Sequence, residues 1–129
     1  MLKRLFAAVA ALSLIPAYAL AEEGGHSHAG KHGGLKADSG HHHVELVAKD
    51  GSIEFYVEDE KGTPESLKDA KASATLLVDG KKIDIKLAPA DDGSLFKGTG
   101  DFKAIKGSVA VITLTMPGHK PEQSRFTLN

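Results

Sequence analysis

Six of the chain's seven histidines fall in the 18 residues from His26 to His43. His26, His28 and His32 are spread along a glycine-rich stretch. His41, His42 and His43 are consecutive, and His119 stands alone between Gly118 and Lys120. Imidazole is the commonest metal-ligand side chain, and several on a loose segment can wrap one ion. In a strand, His41 and His43 point to one face and His42 to the other. Residues i and i+2 are about 7 Å apart at the backbone, near enough for two imidazoles to share an ion. Glu45 continues the face of His41 and His43, and Val47 beyond it makes that face apolar further along. This places the histidines at the mouth of the strand. Gly24-Gly25-His26 would offer square-planar nitrogen ligation for Cu(II) or Ni(II) if Gly24 were an amino terminus.

The rest of the composition narrows the chemistry. The chain has 129 residues, no Cys and no Trp, and 16 Lys+Arg against 17 Asp+Glu. Without cysteine there is no disulfide framework, thiolate zinc site, iron–sulfur cluster or thiol nucleophile. Met116 is the one methionine besides Met1, a poor supply of soft ligands for Cu(I). Histidines with carboxylates suit a borderline divalent ion such as Zn, Cu(II), Ni or Co. Ligand imidazoles must be neutral, so affinity should fall as the pH drops below about 6.5. A near-zero net charge argues against a nucleic-acid partner. H-E-x-x-H, G-x-S-x-G and a glycine loop followed by Lys-Ser/Thr are all missing, so no enzyme activity is expected.

The elements that must position these residues begin after the amino terminus. Lys3 and Arg4, an apolar run over 5–16 and the small-x-small Ala19-Leu20-Ala21 predict a secretory signal peptide over 1–21. Its removal would leave an exported chain of 108 residues with 14 basic and 17 acidic side chains, a net of −3 and no stable membrane anchor. The expected compartment is the periplasm. Residues 22–41 hold too few apolar side chains to offset their ordering entropy, which predicts a flexible His/Gly-rich arm.

From 42 to 129 the pattern is β-rich. Alternation predicts strands over 43–47, 52–58, 72–78, 81–87, 94–102, 108–116 and 123–128, with Asp50-Gly51, Asp79-Gly80 and Pro117-Gly118 as turns. The expected fold is all-β, an Ig-like antiparallel β-sandwich of about seven strands. A single helical turn over 63–69, with Pro64 near its start, is the only helix expected. Strand parity makes a further prediction. Loops after the second, fourth and sixth strands return to the end where the first begins. His119 and the acidic loops 59–70 and 88–93 should therefore gather near His41–His43.

Residues along this framework carry a resemblance: His32-Gly33-Gly34-Leu35, His43-Val44-Glu45-Leu46-Val47, Phe55-Tyr56-Val57-x-Asp59, Leu87-x-Pro89 and Leu95-x-x-Gly98-x-Gly100-x-Phe102. Over about 32–128 the chain resembles the N-terminal HGG-containing domain of heavy-metal efflux (RND-type) periplasmic adaptor subunits, and small stand-alone periplasmic proteins of that type. The chain is too short to hold the hairpin, lipoyl and barrel segments of an adaptor. The resemblance implies a periplasmic setting, divalent heavy-metal handling and an efflux adaptor or pump as partner. The leading expectation is a metal-binding protein, a buffer or a carrier to an efflux system. Its ligands would come from His26, His28, His32, His41, His42, His43 and His119. The alternatives are a non-enzymatic Ig-like interaction module with the arm as a tether, and an enzyme using a His-bound metal.

Overall fold

The computed structural model describes residues 30–129; the expected signal peptide and the arm residues 22–29, with His26 and His28, lie outside the described residues. Eight antiparallel strands form one nearly closed sheet: β1 (Leu35–Ser39), β2 (His42–Lys49), β3 (Ser52–Glu58), β4 (Lys71–Val78), β5 (Lys81–Ala90), β6 (Leu95–Thr99), β7 (Val109–Thr115) and β8 (Glu122–Thr127). Their spatial order is β1-β2-β3-β6-β5-β4-β7-β8. From β2 onward this is the A-B-E-D and C-F-G order of an Ig-like sandwich. β5 belongs to both layers, pairing with β4 over 81–87 and with β6 over 88–90.

Side-chain alternation builds the core. In β3, Ile53, Phe55 and Val57 are buried while Ser52, Glu54, Tyr56 and Glu58 are less so. Ala110, Ile112 and Leu114 of β7 do the same from the facing layer. Phe55 and Phe126 meet edge-on with centroids 6.3 Å apart. The turns follow local chemistry: Asp79 and Gly80 both take positive φ (50° and 74°), as a two-residue hairpin turn of the twisted type requires.

Two long connections fix the ends of the sandwich. Residues 100–108 cross one end, where Gly51 N–H donates to the Phe102 carbonyl and Ala104 N–H to Asp50 Oδ1. Residues 59–70 cross the other end, where Leu67 N–H donates to the Gly93 carbonyl. The β1–β2 turn, the Asp91–Gly93 3-10 turn and the loop between β7 and β8 share that second end.

Two expectations change. The stretch 22–41 is not arm throughout, because Leu35–Ser39 form β1, paired with β2 from Leu35↔Leu46 to Ser39↔His42. The helical turn expected over 63–69 is absent. Pro64 instead forms an isolated bridge with Glu58, Glu65 N–H donates to the Val57 carbonyl, and Leu67 is fully buried. Placing Leu67 in the core outweighs one marginal helical turn. Among the described residues no helix is long and apolar enough to cross a membrane.

Candidate functional site: histidine–carboxylate pairs at one end and one face of the sandwich

β2 carries three of the relevant side chains and sorts them by face. His42, Val44 and Leu46 are buried on the core side; His43, Glu45 and Val47 lie on the outer face. The expectation that the His43 face turns into the core is therefore reversed, and His42 is the histidine at the mouth of the core. His41 sits outside the strand, in the two-residue turn with Gly40, so strand alternation does not govern it. The structure gives His41 and His43 separate partners: His41 Nδ1 lies 3.1 Å from Glu60 Oε1, and His43 Nδ1 lies 2.7 Å from Asp38 Oδ1.

His42 is in a more enclosed setting. Its ring Nδ1 is 3.3 Å from Glu122 Oε2, and its Nε2 faces Glu65 Oε1 at 3.9 Å. The Ser39 hydroxyl donates to the same Glu122 oxygen over 3.4 Å. Gly40 is held at φ +57°, and a Cβ there would overlap the Glu122 carboxylate. β8 thus supplies an anion under the β1–β2 turn. His119, from the loop after β7, sets its ring edge-on to His42, with centroids 5.7 Å apart and planes at 76°. Glu60 and Glu65 both come from the 59–70 connection. Of the other acidic residues of these loops, Asp59 and Asp91 have local roles. Asp59 Oδ1 accepts from the Lys61 and Thr63 amides, and Asp91 Oδ2 lies 3.9 Å from Lys97 Nζ.

The second arrangement explains the His32-Gly33-Gly34 motif. Residues 30–34 turn back over the outer face of β2 and β3 and cover Glu45, which is 6% exposed despite pointing away from the core. Glu45 Oε2 accepts from the backbone N–H groups of His32 (2.9 Å) and Gly34 (2.8 Å), and Oε1 lies 3.0 Å from His32 Nδ1. The His32 ring stacks on Tyr56 at 3.6 Å, with planes 4° apart. Lys31 Nζ adds an ion pair to Glu58 at 3.0 Å. Gly34 is required by close approach: a Cβ there would overlap the Leu46 carbonyl oxygen. Gly33 is required by its φ of +77°.

The electrostatics follow this geometry. Burial works to raise the Glu45 pKa, but the bond from the His32 ring, the two backbone N–H donors and the charge attraction of His32 outweigh it. The net effect holds the carboxyl below its ordinary value. Tyr56 is pushed up to about 12, first by burial, then by its 2.9 Å hydrogen bond to Glu54 and by the negative charges of Glu54, Glu45 and Asp91.

One pattern joins the two arrangements. His32, His41, His42 and His43 each turn Nδ1 toward a carboxylate. An ionised carboxylate only accepts, so Nδ1 is the nitrogen that donates to it, and in the neutral form of such a ring Nε2 carries the lone pair. Metal-binding histidines are oriented by carboxylates in this way. Among the described residues, however, no group of three or more His, Asp or Glu side chains stands in ready ligand geometry. Sequence reasoning placed His119 and the acidic loops at the right end. It did not find Glu122, Ser39 or the covering of Glu45, because each depends on contacts between distant segments. Comparison with known proteins adds nothing here, as no family model, curated protein or solved structure matches the chain.

Proposed function

We propose that this chain is a periplasmic protein that binds divalent transition-metal ions of the Zn, Cu(II), Ni or Co type, buffering them or passing them to an efflux system. The observation that carries the reading is the repeated carboxylate–histidine pairing, which turns Nδ1 of four imidazoles toward a carboxylate; in the neutral form each ring would then offer Nε2 to an ion. Imidazole nitrogen with carboxylate oxygen is a donor set for borderline divalent ions. The periplasmic address rests on reading 1–21 as an export signal, and the efflux link rests on the HGG resemblance.

The test is calorimetric titration of the chain from Glu22 onward with Zn, Cu(II), Ni and Co. The expected result is saturable binding tighter than micromolar for at least one ion, weakened when His41, His42 and His43 are replaced together by Ala. Absence of binding above a micromolar background for every ion would overturn the reading. Deleting 22–43 is not a clean test of the arm, because it removes β1 and His42 as well. The arm is tested by His26→Ala with His28→Ala.

A further inference from the structure

Among the histidines of the described residues, His42 alone is both nearly buried and flanked on its two ring nitrogens. Its side chain is 7% exposed, with Glu122 on the Nδ1 side and Glu65 on the Nε2 side. A histidine that only filled core space would be surrounded by apolar groups. Here a carboxylate from β8 orients the ring, and the open nitrogen is aimed at a second carboxylate from the 59–70 connection. Zinc-type ions bind imidazole nitrogen and carboxylate oxygen at about 2.0–2.2 Å. Tetrahedral bonds of that length set the two donor atoms about 3.4 Å apart, and the His42 Nε2 to Glu65 Oε1 separation is 3.9 Å. A shift of about half an ångström in the partly exposed Glu65 side chain would bring the pair to that spacing. His119 is the next donor, with its ring centroid 5.7 Å from that of His42. It belongs to an exposed loop, where a side-chain rotation meets little packing resistance.

We infer that His42 Nε2, Glu65 and His119 form a single divalent-metal site at this end of the sandwich, with Glu122 as the positioning carboxylate behind His42. The inference rests on the metal-binding reading and names its site. Three elements supply it: β2, the connection that crosses the end, and the loop between β7 and β8. Binding would therefore tie the two layers together where they are joined by loops. Glu122 acts through His42: with Nδ1–H donated to Glu122, the ring is held in the tautomer that leaves Nε2 free. Its loss should weaken binding by about 10–100-fold, the range seen when such supporting carboxylates are removed. The His41–Glu60 and His43–Asp38 pairs are exposed and involve no second histidine, so they are expected to contribute less.

The experiment is titration of the chain from Glu22 onward with Co(II), read by calorimetry and by visible d–d absorption. It compares wild type with Glu65→Gln, His119→Gln, Glu122→Gln and the arm variant His26→Ala/His28→Ala. Glu65 and His119 lie at the surface, so their variants keep the fold, which circular dichroism checks. The expected result is one ion per chain, with affinity lowered about tenfold or more in Glu65→Gln, His119→Gln and Glu122→Gln. The arm variant should stay within about twofold of wild type. Wild-type affinity in both Glu65→Gln and His119→Gln, with loss in the arm variant, would overturn this site while leaving the metal-binding reading standing. No Co(II), Zn, Ni or Cu(II) binding by the wild type would overturn both.

Discussion

Glu45 shows how a single side chain can carry a motif. Its carboxylate collects two backbone amides and one imidazole, and the covering turn needs glycine at two positions to reach it. Replacing Glu45 by Gln should cost about 1.5–3 kcal/mol at neutral pH, the scale of hydrogen bonds to a charged group. The pH dependence has a definite sign. The carboxyl is held below its ordinary value of 4.5, so its contribution is complete above that value and disappears as the pH falls through the folded-state pKa. Denaturant unfolding of wild type and Glu45→Gln should show a stability gap at pH 7 that narrows well below pH 4.5. A gap independent of pH would contradict the account. Tyr56 offers a second readout, because it is the only tyrosine beyond residue 21. Its phenolate should appear only near pH 12, and Glu54→Gln should bring the midpoint down toward 10. An unchanged midpoint would remove Glu54 as a cause.

Elements differ in how far they can be read from sequence. The strand over 52–58 and the Asp79-Gly80 turn follow from period-two alternation and turn chemistry alone, and the structure places both as expected. β1 was illegible for a physical reason. Leu35-Lys36-Ala37-Asp38-Ser39 has little apolar area of its own. It is held by pairing with β2 and by the turn over Glu45, both contacts that a local window does not contain. The 59–70 connection was half legible. Its acids were placed at the correct end, but Pro64 suggested a helical start where the structure uses Leu67 as an anchor. Leu67→Ala should cost about 2–5 kcal/mol, as for other fully buried leucines, and should also disturb Glu65 two residues away. The glycines of the covering turn give a graded comparison by chemical denaturation. Gly33→Ala should cost about 1 kcal/mol through its positive φ, and Gly34→Ala more, because backbone must move away from the Leu46 carbonyl. The reverse order would contradict the assigned geometry.

For the whole molecule, the Ig-like order of strands collects chemistry at one end. The β1–β2 turn, the β7–β8 loop and the 59–70 connection at that end bring residues from positions 38 to 122 within reach of one another, while the opposite end is closed by backbone hydrogen bonds and apolar packing. Strand parity made the location of His119 legible from sequence. The pairing of His42 with Glu122, 80 positions apart, was not, because parity gives an end and not a neighbour. The same separation has a consequence for stability. An ion held jointly by β2, the 59–70 connection and the β7–β8 loop binds only the folded chain, so it should raise the unfolding temperature in proportion to the logarithm of its concentration above Kd. The most direct test of the central claim is therefore thermal unfolding of the chain from Glu22 onward with and without excess Zn, repeated for His42→Gln. The account predicts a clear rise in Tm with Zn for wild type and at most a small one for His42→Gln. An equal rise in both, or none in wild type, would contradict it.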